Sequence, residues 1–351
     1  MRITLREVAE YACVSKASVS YVLNGKGDSQ RINPETRTRI MEAAKKLGYH
    51  PNALARGLAN RHTHTVAIVM QYPLLFAGWS GFTNALMHGV TDAALEYGYD
   101  LLLHTRRSAQ DWQGQNLDGI SADIARLTDG RADGALLLRD IDDPLTECLH
   151  ENEFPAVLMF THSDNPDLWY VDCDNIAGGR MAANHLMDLG HTRIVHLCGS
   201  PRSGAASERR EGYITALKNR GVPVRNEWMC EVTSPIADFS EALALFQTNK
   251  SDRPTAVFAW SDDVAIQMMR ELHELGFRVP DDVAMVGFDS TVLCDHTDPP
   301  LTSVCQPVHQ MAVQAMALLH NHIEGEVPEV TQIRISPSLD IRRSCGASIQ
   351  L

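Results

Sequence analysis

Seven short apolar runs constrain the fold of this chain more than any other feature. They read "TVAIVM" at 65–70, "DLLLHT" at 100–105, "DGALLL" at 133–138, "PAVLMF" at 155–160, "RIVHLCG" at 193–199, "TAVFAW" at 255–260 and "VAMVGFD" at 283–289. Each has the length of a strand, and amphipathic helical patterns such as 85–97, 176–189 and 264–275 lie between them. Strands that are apolar throughout are buried on both faces, and helical crossovers between them make them parallel. So many strands predict two doubly wound lobes, with a ligand cleft at the carboxyl ends of the strands.

Charge sets the first 62 residues apart. They carry 11 Lys+Arg against 5 Asp+Glu, which leaves 20 against 39 for the remainder of a 351-residue chain of formal charge −13. A small basic head on an acidic body predicts that the head meets a polyanion. Leu5, Val8, Ala9 and Ala12 recur at helical spacing behind Thr4 as N-cap. A second helix starts after Ser15, turns Val19, Val22 and Leu23 inward and ends at Asn24-Gly25. A third fits 34–47, with Asn33 as cap, Pro34 in the first turn, Ile40, Ala43, Ala44 and Leu47 as the apolar stripe, and Gly48 as the stop. Two short helices joined by a tight turn form a helix-turn-helix, whose second helix enters the major groove. Its outer face here is Lys16, Ala17, Ser18, Ser20 and Tyr21: small, hydroxylic or basic. The turn carries Cys13 where glycine is usual, and positive φ at such a residue costs on the order of 1 kcal/mol.

"TLREVAEYACVSKASVSYVLNG" followed by "INPETRTRIMEAAKKLGYHPNALARGLA" resembles the DNA-binding head of the LacI/GalR family of bacterial transcriptional regulators. The resemblance implies base reading by Lys16, Ala17 and Tyr21, and backbone-phosphate contacts by Thr4, Ser15, Ser18 and Asn24. It also implies that Asn52 opens a hinge helix that folds on the operator, with Ala55 near the two-fold axis and Arg56 along the minor groove. Leu58 would wedge between base steps, the unstacking offset by extra wrapped contact. Gly57 costs that helix about 1 kcal/mol, in keeping with a helix that needs DNA to persist.

The body resembles the type I periplasmic-binding-protein fold through "VDCDNIAGGRMAANHLMDLGHTRIVHLCG", "RREGYITAL", "RPTAVFAWSDDVAIQMM", "VPDDVAMVGFDS" and "PPLTSVCQP". The expected architecture is thus a small all-α helix-turn-helix head plus an α/β two-lobed periplasmic-binding-protein-like body with parallel sheets. The head spans 1–50, a hinge and linker 51–63, and the effector-binding and dimerisation body 64–351. Lobe 1 covers about 64–160 and 291–323, lobe 2 about 161–290 and 324–343. Arg209, in the family's R-x-x-G-aromatic element, and Asp289, ending "VGFD", suit a polyol: arginine donates a planar fork and aspartate accepts from hydroxyls. Phe239 stands where the family places an aromatic lid, and Phe82, Thr83, Phe160, Trp260 and Asp262 complete the expected effector pocket. The stretch "QYPLLFAGWSGFTNAL" is longer than the corresponding family loop, which leaves the register of Phe82 and Thr83 against the family open by a residue or more.

Catalytic groupings are poor. "GSPRSGAAS" does not form a nucleophile elbow, "HNH" at 320–322 lies on an amphipathic helix, and "CDH" at 294–296 lacks partners at metal spacing. The eight cysteines form no CxxC, in keeping with reduced thiols in the cytoplasm, and neither a leader nor a membrane span is expected. No enzyme, metal or cofactor is therefore expected. A transport-type solute-binding protein shares the body's fold but would need an export signal and no basic head. The expectation is an effector-controlled regulator, a repressor of carbohydrate-metabolism genes, bound as a homodimer to double-stranded, pseudo-palindromic operator DNA. Activation, a nucleobase or phosphorylated metabolite as effector, and pairing of dimers into tetramers remain open on sequence.

Overall fold

The computed structural model describes residues 3–24, 32–50, 62–70, 81–104, 117–139, 143–232 and 237–347. It divides into two compact units, Met1–His64 and Thr65–Leu351.

The first unit packs α1 (Leu5–Ala12), α2 (Lys16–Leu23) and α3 (Pro34–Leu47). Each starts at a side-chain cap. Thr4 and Glu7 form a reciprocal capping box, Ser15 accepts from the Ser18 amide at 3.0 Å, and Asn33 accepts from the Glu35 amide at 2.9 Å. Gly48 ends α3 in the left-handed conformation, and Cys13 ends α1 in the same one, at φ 51° and ψ 49°. The Cys13 and Val14 amides then close the last turn on Glu10 and Ala9. Val8, Ala9, Ala12, Val19, Val22, Ile40, Ala43 and Ala44 make the small core.

Among the described residues, the second unit holds two six-stranded sheets. The first contains β1 (Thr65–Met70), β2 (Asp100–His104), β3 (Gly134–Leu138), β4 (Ala156–Met159), β5 (Tyr170–Cys173) and β11 (Gln332–Ile335), ordered β11-β5-β4-β3-β1-β2 and parallel throughout. The second contains β6 (Ile194–Cys198), β7 (Met229–Glu231), β8 (Ala256–Ala259), β9 (Ala284–Asp289), β10 (Thr302–Cys305) and β12 (Ser338–Asp340), ordered β12-β10-β9-β8-β6-β7. Only β12 there runs antiparallel, against β10. Helices cover both faces of each sheet, as continuous apolar strands require. On the first sheet, α4 (Gly81–Tyr97) and α11 (Val308–Glu324) bury Val66, Ile68 and Leu136, while α5 (Leu117–Leu127) and α6 (Pro144–Glu151) bury Val69 and Leu137. On the second, α7 (Asn175–Asp188) and α8 (Gly204–Asn219) bury Phe258 and Phe288, while α9 (Ser240–Phe246) and α10 (Asp262–Glu274) bury Val257 and Met285.

Among the described residues the chain passes between sheets three times: after β5, between β10 and α11, and between β11 and β12. This corrects the lobe limits of about 64–160 with 291–323 and 161–290 with 324–343. Residues 170–173 pair with β4 and belong to the first lobe, residues 302–305 pair with β9 in the second, and residues 332–335 return to the first. These strands are four residues long and partly polar, so hydropathy alone does not separate them from loops.

Candidate DNA-reading face and ligand cleft

In the first unit, the inward side of α2 is Val19 and Val22, and that burial turns Lys16, Ala17 and Tyr21 to solvent. Ser18 and Ser20 are half-buried between the two faces. Ser15 and Ser18 hydroxyls are 2.9 Å apart at the amino end of the helix, where backbone N–H groups point outward. Asn24 caps the other end and donates from Nδ2 to Ser20 at 3.2 Å. The structure thus gathers Ser15, Lys16, Ala17, Ser18, Ser20, Tyr21 and Asn24 on or around one helix. Thr4 is engaged in the box that starts α1. Asn52, Ala55, Arg56 and Leu58 lie outside the described residues.

In the second unit, a cleft of about 640 Å³ opens between the amino end of α4 and the segments following β9 and β10. Phe82, Asn84, Ala85 and His88 line one side, and Asp289, Ser290, Thr291 and Gln306 the other. Asp289 ends β9 at φ 112°, a conformation that side chains other than glycine's rarely adopt, and Ser290 follows at φ 50°. Burial pushes the Asp289 carboxyl well above the usual carboxylate range, against the pull of Arg209.

Arg209 lies behind this wall, buried on α8. Its Nε donates to Asn175 Oδ1 at 2.9 Å, Nη1 to the Trp260 carbonyl at 2.6 Å, and Nη2 to Gln306 Oε1 at 2.7 Å. The guanidinium stacks 3.6 Å over the Phe288 ring and stands 3.8 Å from Asp289 Oδ1. Asn175 follows the first passage between sheets and Gln306 lies in the second, so one side chain ties both to α8. The Arg209–Asp289 pair read from sequence is thus present. Arg209, however, orients the cleft wall, whereas Asp289 and Gln306 line it.

Other expected pocket residues are placed differently. Asp262 is fully buried: one oxygen accepts from Ser303, the other from the Thr291 amide at 2.7 Å and from Cys294. It therefore staples the turn that follows Asp289 and does not line the cleft. Phe239 is packed in the core beside Trp228, Ala242 and Phe246; it is not a free lid. Thr83 is buried on the inner side of α4, so the cleft receives its neighbours Phe82 and Asn84 instead. Trp260 spends its indole N–H on the Val232 carbonyl at 3.0 Å, with its ring against Gly199, where a Cβ would lie 2.7 Å from it. Phe160 packs edge-on against Phe82, 4.8 Å between ring centroids, and supports it.

Residues 4–52 match the bacterial regulatory protein domain of the LacI family, and residues 183–345 match a periplasmic binding protein-like domain. Over 348 residues, 98% of each chain, the sequence is 36% identical to the HTH-type transcriptional regulator CelR of Thermobifida fusca. The chain belongs to the LacI family. It is a DNA-binding transcriptional regulator with a helix-turn-helix head and a two-lobed binding-protein-like body. A second family member, the transcriptional repressor PurR of Vibrio vulnificus, is 29% identical over 97% of each chain. A solved complex of CelR with cellobiose superposes on this LacI-family chain with a TM-score of 0.70, at 33% identity, covering 98% of this chain and all of that one.

Sequence reading of this family member missed Asn175, Phe288 and Gln306, which hold Arg209, although "DCDN", "VGFD" and "CQP" sit beside strand ends where such partners occur. It also missed an ionic cluster spanning the lobes. His162, after β4, has Nδ1 3.4 Å from Asp172 and Nε2 3.6 Å from Glu208 on α8. Arg334 on β11 donates to that same Glu208 at 2.9 Å. The "HNH" histidines are half-buried packing groups: His322 stacks on Trp169 and His320 lies against Tyr97 and Tyr99. Among the described residues, no helix is long and apolar enough to cross a membrane.

Proposed function

We propose that this regulator is a cytoplasmic, homodimeric repressor of carbohydrate-metabolism genes, bound to a pseudo-palindromic operator and controlled by a small sugar-like effector. The observation that carries the effector class is the cleft wall. Asp289 and Gln306, backed by Arg209, face Phe82 across an open space. Carboxylate and amide groups pair with sugar hydroxyls, and an aromatic ring packs on the apolar face of a pyranose. The similarity to CelR, whose solved structure holds cellobiose, supports a saccharide.

In the head, Lys16, Ala17 and Tyr21 read base edges, while Thr4, Ser15, Ser18, Ser20 and Asn24 position the backbone. Asn52, Ala55, Arg56 and Leu58 form the hinge, with Leu58 as the minor-groove wedge. The protein acts by linkage and not by catalysis, with no cofactor. An effector that prefers one arrangement of the lobes shifts the separation of the two hinges, and operator affinity follows by the same free energy.

The test is calorimetric titration of the full chain with cellobiose and a panel of mono- and disaccharides, beside Asp289→Asn. One saccharide binds, and the substitution weakens it at least tenfold. Binding of a nucleobase titrated alongside, with no saccharide response, would replace the carbohydrate reading. Equal saccharide affinity in wild type and Asp289→Asn would remove Asp289 from the site.

A further inference from the structure

Three side chains of metal-ligand type meet where α4 passes the start of α11. His88 and Asp92 lie four residues apart on α4 and so share a face, and His309 is the second residue of α11. His88 Nε2 is 3.4 Å and His309 Nε2 is 2.9 Å from the same atom, Asp92 Oδ2. All three ligand atoms lie within 4.8 Å of one another, and the imidazole centroids are 4.9 Å apart. Gly89 produces this meeting. A Cβ there would lie 2.7 Å from the His309 carbonyl oxygen and 2.8 Å from Ala312 Cβ, so the two helices approach as closely as only glycine permits.

We propose that His88, Asp92 and His309 bind a divalent transition-metal ion of the zinc class. Metal–nitrogen and metal–oxygen bonds of about 2.0–2.1 Å set neighbouring ligands roughly 3.3 Å apart at a tetrahedral angle and roughly 2.9 Å apart at a right angle. Both separations therefore fit ligands around one ion. An Asp92–His309 ion pair accounts for the shorter separation alone. The i,i+4 spacing on α4 brings His88 to the same oxygen, so that both imidazoles converge on one carboxylate. Two imidazoles with one carboxylate select zinc, cobalt or nickel over magnesium or calcium, which take oxygen ligands.

All three side chains are exposed, which gives the ion an entry path. Three protein ligands leave a position for water. His88 and His309 also line the cleft that holds Asp289, so the ion sits in its wall and joins α4 to α11 within the first lobe.

Chelator-stripped, full-length protein titrated with zinc chloride tests this. One ion binds per chain, and His88→Ala, Asp92→Asn and His309→Ala each weaken it at least tenfold, with metal-free circular dichroism and melting unchanged. His309→Cys, which keeps a ligand, recovers most of the affinity. Cobalt-loaded wild type shows d–d absorption without a thiolate charge-transfer band, a readout that stands even if a variant is misfolded. Zinc affinity unchanged by all three substitutions, a thiolate band in the wild type, or no binding tighter than millimolar would overturn the site.

Discussion

Cys13 holds a left-handed backbone at the turn of the reading head, where a Cβ crowds the following carbonyl. Relief of that crowding exceeds the extra chain entropy glycine brings to the unfolded state, so Cys13→Gly should stabilise the head by ~0.5–1 kcal/mol. Amide hydrogen exchange in α1 and α2 of the full chain should slow accordingly, and faster exchange would show that the thiol packs favourably at the turn. Arg209 makes the opposite case. Its three donors serve three separate segments of the second unit, and lysine cannot reproduce the fork. Both Arg209→Lys and Arg209→Ala should therefore destabilise that unit, the latter by about 3–5 kcal/mol, as expected for a buried charged network broken on one side. Urea unfolding checks this; a variant as stable as wild type would leave Arg209 with ligand contact alone. Asp262 shows why residue-level reading stops short. It stands at a strand end like a ligand group, but Ser303, 41 positions away, completes its shell, and no local pattern carries that information.

At the scale of elements, legibility follows locality. The three head helices were readable because Thr4, Ser15, Asn33 and Gly48 mark their ends by contacts within four residues. The longer apolar strands were readable because an unbroken apolar run is itself a local signal. β5, β7, β10, β11 and β12 are three or four residues long and partly polar, so only pairing identifies them, and with them the assignment of segments to lobes. The ionic cluster between β4, β5, α8 and β11 depends on that same assembly. His162 is held above its ordinary pKa by Asp172, against burial, with Glu208 adding to the shift and Arg334 opposing it; the Tyr170 ring also faces it. Because the folded value exceeds the unfolded one, the protonated bridge stabilises fully below about pH 6.5 and is lost as pH rises through the folded value. The stability difference between wild type and His162→Gln should shrink as pH is raised through that range. A difference independent of pH would mean that His162 acts by packing alone.

At the scale of the whole molecule, a basic head on an acidic body separates affinity from control. Phosphate contacts proposed for the head should make operator binding fall steeply with salt, whereas the candidate ligand cleft lies in the other unit. Exchanging Lys16 and Tyr21 should change the consensus selected from random duplexes. Ser18→Ala should weaken every duplex alike, since phosphates carry no sequence. The same consensus after exchange would remove those two residues from base reading.

The most direct measurement of the central claim is fluorescence anisotropy of the full chain on the duplex it selects from random DNA, with and without the saccharide found by calorimetry. The account predicts a two-fold symmetric duplex and an affinity that saccharide changes at least tenfold in wild type but not in Asp289→Asn. A saccharide that binds the cleft yet leaves operator affinity unchanged would contradict it.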